Sequence, residues 1–345
     1  MAPYYISALV SSIVAYLLVW LFKTYAVEKN IFSAEIRQRD IHKTPTPRVG
    51  GIAIVVTFLL VSLGAYLVSP ESFKFIDGQI GGIDKNFLGL VIAVVVLSVV
   101  NIADDFKNIK WPLKLATQVT AALIIAAFGV KVAWLTTFGW DLALNGYIAW
   151  IFIVIWLVVL ANVVNWVDSI DGLAGGTSMI AMAVLFILSI SRGDQSGSAL
   201  LAAIVFGALA GFLPHNFMAK KAFLGDTGAV FLGFIIGVLA IISGGKVIVA
   251  FLVMAIPILD AAVVFFGRII NRQSPFLPDN RHLTHRLLAM GLAVWQINAI
   301  YFSISLALGL AALNTQKTGQ YYLIFLALTA MAGFVLLYSK QAKNN

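Results

Sequence analysis

Cysteine is missing altogether from the 345 residues, which excludes disulfides, thiolate metal sites and a Cys nucleophile. Glutamate is nearly missing. Glu28, Glu35 and Glu71 are its whole supply, so every acid further along is an aspartate. The short Asp side chain holds its carboxylate close to the backbone, which suits a fixed site for a hard cation. Charge of either sign is scarce at 11% of residues, against roughly 25% in a soluble globular domain. No repeat, low-complexity tract or soluble domain interrupts the chain, and residues 1–345 read as a single integral-membrane domain.

What fills the chain instead is hydrocarbon: 61% of residues are hydrophobic and the mean hydropathy is +0.97. A bilayer core about 30 Å thick takes about 20 apolar residues per helix. The apolar runs predict an all-α, polytopic membrane protein with eleven transmembrane helices, near 4–24, 49–69, 87–103, 114–130, 147–165, 174–191, 198–215, 227–242, 246–266, 291–312 and 320–338. No Lys or Arg precedes the first run, whereas Lys29, Arg37, Arg39, Lys43 and Arg48 follow it. That pattern argues against a cleaved signal peptide and sets the N-terminus outside. Only Lys74, Lys85, Lys131, Arg192, Lys246 and Lys317 then fall outside, and the C-terminus, with Lys340 and Lys343, is cytoplasmic. The net charge of +8 belongs to basic loops beside anionic lipid and calls for no nucleic acid. The expected location is the inner (cytoplasmic) membrane.

Parity puts every unusual motif on the cytoplasmic side. Asp104-Asp105 ends the third run. Two adjacent carboxylates beside hydrocarbon need a cation or a base. One could ligate a metal while the other takes a proton, or both could steer Mg²⁺ through water; the plain alternative is a solvated, acid-ended helix, which the macrodipole disfavours. Asn162, Asn165, Asp168 and Asp171 form a polar stripe at i, i+3 spacing, suited to a base, a sugar or a hydrated metal, with interhelical hydrogen bonding as the competing use. In Gly225-Asp226-Thr-Gly228, Asp226 or Thr227 would cap the eighth helix, or a phosphate could sit there with a metal bridging it to Asp226.

The segment Arg281-His282-Leu-Thr-His285-Arg286 can bind phosphates and donate protons. A zinc site there lacks further ligands, and lipid headgroups account for the arginines better than for the histidines. His42, Lys43 and Arg48 surround a Pro-rich turn ending in Gly50-Gly51, which fits either a loop folded on a site or a plain connector. Lys107, Lys110 and Lys114 extend the basic surface. Asp260, inside the ninth run after Pro257, is costly at any depth, and the sequence does not choose between a structural hydrogen bond and a site role. Together these residues imply Mg²⁺-assisted phosphoryl chemistry between an anionic cytosolic substrate and a second substrate in the bilayer.

From His42 to Arg286 the motifs resemble the polyprenyl-phosphate N-acetylhexosamine-1-phosphate transferases, the superfamily that includes MraY and WecA. The pieces are the His-Lys-x-Pro-x-Pro-Arg-x-Gly-Gly loop, Asp104-Asp105, the Asn-x-x-Asn-x-x-Asp-x-x-Asp-Gly-Leu-Ala segment, Asn216 through Gly228, and the histidine loop. The resemblance implies transfer of a sugar 1-phosphate from a UDP-sugar to an undecaprenyl-phosphate-type carrier, with release of UMP and with Mg²⁺ or Mn²⁺. It makes Asp226 a direct metal ligand and gives Asp104 and Asp105 metal binding and deprotonation of the lipid phosphate. Asp168, Asp171, Asn216 and Phe223 would line the nucleotide pocket, Phe223 by stacking, and His282, His285 and Arg286 would contact diphosphate or sugar.

Two positions depart from the family pattern. Thr284 stands where a middle histidine is usual, and Ser169 stands where the Asp-Gly-x-Asp-Gly form has glycine. The Pro-Arg-x-Gly-Gly loop is similar to the branch that primes surface glycans, so UDP-GlcNAc is the preferred donor and a MurNAc-pentapeptide donor the alternative. The expected partners are the UDP-sugar, the polyprenyl phosphate and the membrane, with a homodimer possible. A secondary transporter is the rival from another class, disfavoured because the acids sit at helix ends and no repeat is present.

Overall fold

A computed structural model describes residues 1–29, 31, 46–73, 75, 78–107, 109–132, 134–137, 140–143, 146–191, 195–218, 222–243, 246–274, 282–315, 319–320, 322–327 and 329. Among them are twelve α-helices of seven or more residues: α1 (Ala2–Lys29), α2 (Gly50–Val68), α3 (Lys85–Lys107), α4 (Trp111–Ala127), α5 (Tyr147–Val167), α6 (Leu173–Ile190), α7 (Ser196–Leu213), α8 (Gly225–Ile242), α9 (Val247–Val253), α10 (Ala255–Ile270), α11 (Leu283–Ala289) and α12 (Val294–Asn314). Two short antiparallel hairpins amend the all-α expectation: β1 (Gln79–Ile80) with β2 (Ile83–Asp84), and β3 (Trp134–Thr137) with β4 (Trp140–Ala143).

Eight of the helices are long and apolar enough to cross a membrane, or nine spans if α9 and α10 count as one. The expectation of eleven also included α4, which has 17 residues, and the run at 320–338, most of which lies outside the described residues.

The ninth run is not one straight helix. It bends by 81° between α9 and α10. Pro257 is the cause: it has no N–H to give the carbonyl of Val253, and its ring crowds that carbonyl, so the break falls at Met254. Beyond the bend α10 leaves Phe266, Ile269 and Ile270 exposed.

α8 is the axis of the bundle, with 83% of its apolar stretch buried against 17% for α1 at the rim. It packs on α2, α3, α5, α6, α7 and α9. Helices in hydrocarbon associate by close packing of small residues rather than by a hydrophobic drive. Gly233 lies against the Leu160 carbonyl of α5, and the Trp156 indole N–H donates to the Gly237 carbonyl at 3.2 Å. Gly207 and Gly211, one i, i+4 face of α7, take the backbone of α1 at Ala8 and Ser12. At the opposite end of the bundle from the polar motifs, Asp84 accepts the N–H groups of Asn86 and Phe87 and so caps α3.

The first turns of α2 and α8 meet backbone to backbone. Gly51 faces the main chain of Gly228, and a methyl group on either would overlap the other's backbone. Gly51→Ala should therefore push α2 off α8 and lower detergent-solubilised stability by about 1–3 kcal/mol, as overpacking does. Gly64→Ala on the same helix meets nothing within 4 Å and should leave the melting temperature unchanged or slightly raised, alanine being the better helix former. Thermal unfolding of the two variants beside the unaltered protein checks both outcomes.

Candidate active site

The start of α8 is buried, so its first N–H groups cannot turn to bulk water. The sequence suggests Asp226 or Thr227 as the cap, but the N-cap position is Leu224 and the capping carboxylate comes from another helix. Asp105, near the C-terminus of α3, accepts from the Asp226 N–H at 3.0 Å through Oδ1. Its Oδ2 accepts from the Thr227 N–H at 3.1 Å and the Thr227 hydroxyl at 2.6 Å. Asp105 is thus poorly placed for its own helix dipole and well placed for that of α8. Gly225 has φ +72°, and a Cβ there would lie 2.8 Å from Asp105 Oδ1. The carboxylate expected to ligate or to take a proton is, in this geometry, anchored on the backbone of α8.

Its neighbour Asp104 points elsewhere. Asp104 Oδ1 accepts from the Ile109 N–H at 2.6 Å, and Oδ2 accepts from Lys114 Nζ at 2.7 Å. The same ammonium donates to Asp226 Oδ2 at 2.6 Å. Carboxylates from α3 and α8 therefore share one cation from α4. Of the basic trio Lys107, Lys110 and Lys114, this bridge engages Lys114, while Lys107 is exposed.

Two further turns close on this centre. Gly50 and Gly51 donate their N–H groups to the carbonyls of Phe223 and Leu224 at 2.9 and 2.8 Å, and Phe223 N–H donates to the Pro47 carbonyl at 2.9 Å. Pairing 47–51 with 223–224 brings the half-buried Arg48 into the field of Asp226 and Asp168. The Pro-Arg-x-Gly-Gly loop is thus folded onto the site, and its glycines serve helix contact. After α5, Asp168 occupies the C-cap position and Gly172, left-handed at φ +81°, opens α6 with the Phe217 ring against it.

Asn216 clamps this turn: its Oδ1 accepts from the Gly172 N–H at 2.7 Å and its Nδ2 donates to the Ala222 carbonyl at 3.0 Å. The structure gives Asn216 a backbone-bridging task where the resemblance implies pocket lining. Asn162 takes the bland alternative, donating to Gln118 Oε1 at 2.6 Å and to the Val158 carbonyl at 2.8 Å. Asn165 is half-buried at the next position of the stripe. Removal from water, then the fields of Asp226, Asp171 and Asp105, push the Asp168 carboxyl well above the usual carboxylate range, with Arg48 opposing.

The histidine segment docks on the same turn. The Ser169 and Thr284 hydroxyls lie 3.0 Å apart in a hydrogen bond, so the two positions that depart from the family pattern bind each other. Asn298 Nδ2 donates to the Asp171 carbonyl at 2.8 Å. His282 Nδ1 lies 2.9 Å from Asp260 Oδ2, and Leu283 N–H donates to Asp260 Oδ1 at 2.8 Å. Asp260 thus joins the histidine segment, which sequence reasoning left open; the signal was a lone acid inside an apolar run. His285 and Arg286 are half-buried on α11. His42, Lys43 and Arg281 lie outside the described residues.

Buried carboxylates, one bridging lysine and an arginine thus gather where the ends of α3, α5 and α7 meet the starts of α2, α4, α6 and α8. Among the described residues this cluster is the candidate active site of a multi-pass membrane protein, with polar chemistry at one end of an apolar bundle. Residues 87–244 match the glycosyl transferase family 4. Over 290 residues the chain is 30% identical to the decaprenyl-phosphate N-acetylglucosaminephosphotransferase of Mycobacterium tuberculosis (strain CDC 1551 / Oshkosh), covering 74% of this chain and 68% of that protein. It is 29% identical over 341 residues to the protein of the same name from Mycobacterium leprae (strain TN), covering 87% and 82%. A phospho-N-acetylmuramoyl-pentapeptide-transferase of Staphylococcus aureus (strain JH9) is 27% identical over 301 residues, covering 80% and 87%. The chain belongs to the polyprenyl-phosphate N-acetylhexosamine-1-phosphate transferase family and is a membrane-bound transferase.

A carboxyl whose folded-state pKa is raised binds its proton more tightly folded than unfolded, so stability falls as pH rises through that range. Asp168→Asn should accordingly raise the melting temperature of the substrate-free protein by a few degrees at neutral and alkaline pH. The gain should disappear toward about pH 4, where the unfolded carboxyl also holds its proton. A melting series from pH 4 to 8 in detergent is the check. A constant offset would mean that Asp168 acts through packing.

Proposed function

We propose that the chain transfers N-acetylglucosamine 1-phosphate from UDP-GlcNAc to undecaprenyl phosphate at the cytoplasmic face of the inner membrane, releasing UMP and starting a surface glycan. The single observation that carries this reading is the Asp104–Lys114–Asp226 bridge beside the Asp105-capped start of α8. It sets acid, cation and helix dipole at one point of a membrane-embedded bundle. An oxygen of the acceptor phosphate attacks the β-phosphorus of the donor, the bond from that phosphorus to the UMP oxygen breaks, and UMP leaves. Asp104 takes the proton of the acceptor phosphate. Asp168 and Asp171 orient the nucleotide, Phe223 stacks on the base, and Arg48, Lys114 and Arg286 offset the diphosphate charge. The exposed apolar face of α10 gives the lipid a surface beside the site.

Among the described residues no group of three or more His, Cys, Asp or Glu side chains is set to hold a metal. Mg²⁺ is nonetheless commonly held by one or two carboxylates completed by substrate phosphates. An ammonium already lies between Asp104 and Asp226, so this all-oxygen pair accepts a cation and fits Mg²⁺ or Mn²⁺. Asp226 would hold the ion, which would supply charge neutralisation on the diphosphate, with Asp104 beside it left as the base. Asp105 positions Asp226 by holding the first turn of α8. The GlcNAc preference rests on the Pro47-Arg48-Val-Gly-Gly51 loop and on relatives named for N-acetylglucosaminephosphotransfer.

Purified protein with undecaprenyl phosphate, Mg²⁺ and a panel of UDP-sugars, scored for UMP, tests the reading. UDP-GlcNAc should be the best donor. Turnover with UDP-MurNAc-pentapeptide alone would move the chain to the other branch, and no UMP from any donor would remove the reading. Asp226→Asn should abolish turnover while the protein still folds. Asp104→Asn should lower kcat more than it weakens donor affinity, and Asp171→Asn should do the reverse.

The same assignment fixes sidedness. Single cysteines at Ser274 should label from the cytoplasm, and at Ser72 or Ser196 from outside. Reversal would move the site to the other face.

A further inference from the structure

α11 has seven residues and no stability of its own at that length. Among its contacts are Leu287 within the cluster of Val167, Ile170, Leu173, Ile297 and Tyr301, the Thr284–Ser169 hydrogen bond, and Asp260 at its start. Asp260 is buried at 4% exposure inside the apolar helix α10, where an unpaired carboxylate costs several kcal/mol. Capping the Leu283 N–H would need only one of its oxygens. The other lies 2.9 Å from Nδ1 of His282.

An ionised carboxylate only accepts hydrogen bonds, so Nδ1 must carry a hydrogen, and in the neutral ring Nε2 is then the bare nitrogen. The His282 ring also lies 6.2 Å from the Trp166 ring, centroid to centroid, on the last turn of α5 just before Asp168. Carboxylate, backbone cap and indole fix one ring orientation beside the nucleotide turn.

We infer that Asp260 is a positioning residue for sugar-phosphate transfer, holding His282 as its Nδ1–H tautomer so that Nε2 is the atom offered to the substrates. This rests on the proposed transfer reaction and adds to it a residue from the bent helix. The arrangement follows base-and-orienter logic, in which the orienting acid sets the tautomer and steadies the ring when it gains a proton.

Asp260→Asn separates this role from capping. The carboxamide oxygen can still accept from Leu283 N–H while its NH₂ faces Nδ1, which drives the ring hydrogen to Nε2. The expected result is a kcat loss of about 10²-fold, in the range of a displaced acid–base group, with donor KM within about threefold and an unchanged melting temperature. His282→Ala should lose a similar factor. In the His282→Ala background Asp260→Asn should change kcat by less than about twofold, because residues acting as one unit are not additive. A full further loss in the double variant would overturn the inference.

A second readout needs no turnover. Nitrogen-15 NMR of the four histidines, at alkaline pH with His282→Ala as the assignment control, should show Nδ1–H for His282 in the unaltered protein and Nε2–H in Asp260→Asn. Nε2–H in both would sink the inference. Full activity of His282→Ala would also overturn it while leaving the transfer reaction standing. Absence of UMP from every donor would instead refute the transfer reading, and the tautomer measurement alone would then decide whether Asp260 sets the ring.

Discussion

The first turn of the most enclosed helix must have its N–H groups satisfied where bulk water cannot reach, and Asp105 satisfies them from a different helix. In a low-dielectric bundle an orphaned backbone donor costs free energy comparable to a lost hydrogen bond, so this cap ties α3 to α8 in register. The rest of the site inherits that register. Asp104, one residue earlier on α3, and Asp226, in the capped turn, come close enough to share the ammonium of Lys114. The glycine contact of α2 with α8 brings Arg48 to the same point.

One residue type performs several tasks, set apart by what surrounds each carboxylate. Asp84 and Asp105 serve helix N-termini. Asp104 and Asp226 face a shared cation. Asp260 divides its oxygens between a backbone N–H and an imidazole. Asp168 keeps an excess of negative neighbours, which burial makes harder to ionise. The Ser169–Thr284 hydrogen bond ties the histidine segment to this turn with two hydroxyls.

The apolar runs, the motifs at their ends and the family were legible in the sequence, because helices in hydrocarbon must satisfy their own backbone and announce themselves by length. The polar ends of those runs were legible as a candidate site for the same reason: carboxylates beside hydrocarbon need a cause. What each acid does was less legible. Asp104 and Asp105 are neighbours with equal claims in sequence, yet one turns to Lys114 and the other to the backbone of α8, a choice made by partners 10 to 122 residues away. Asn162 and Asn165 read as one stripe, and the Gln118 partner that Asn162 finds on another helix was not legible there.

The sequence by itself therefore determined a membrane bundle with its acids and cations gathered at helix ends, since hydropathy and residue chemistry are local properties. Tertiary structure alone decided that Asp105 caps α8, that Lys114 bridges Asp104 and Asp226, and that a helix bent at Met254 delivers Asp260 to His282. Pro257 marks the bend locally, but which segments then meet is set by the packing of helices distant in sequence.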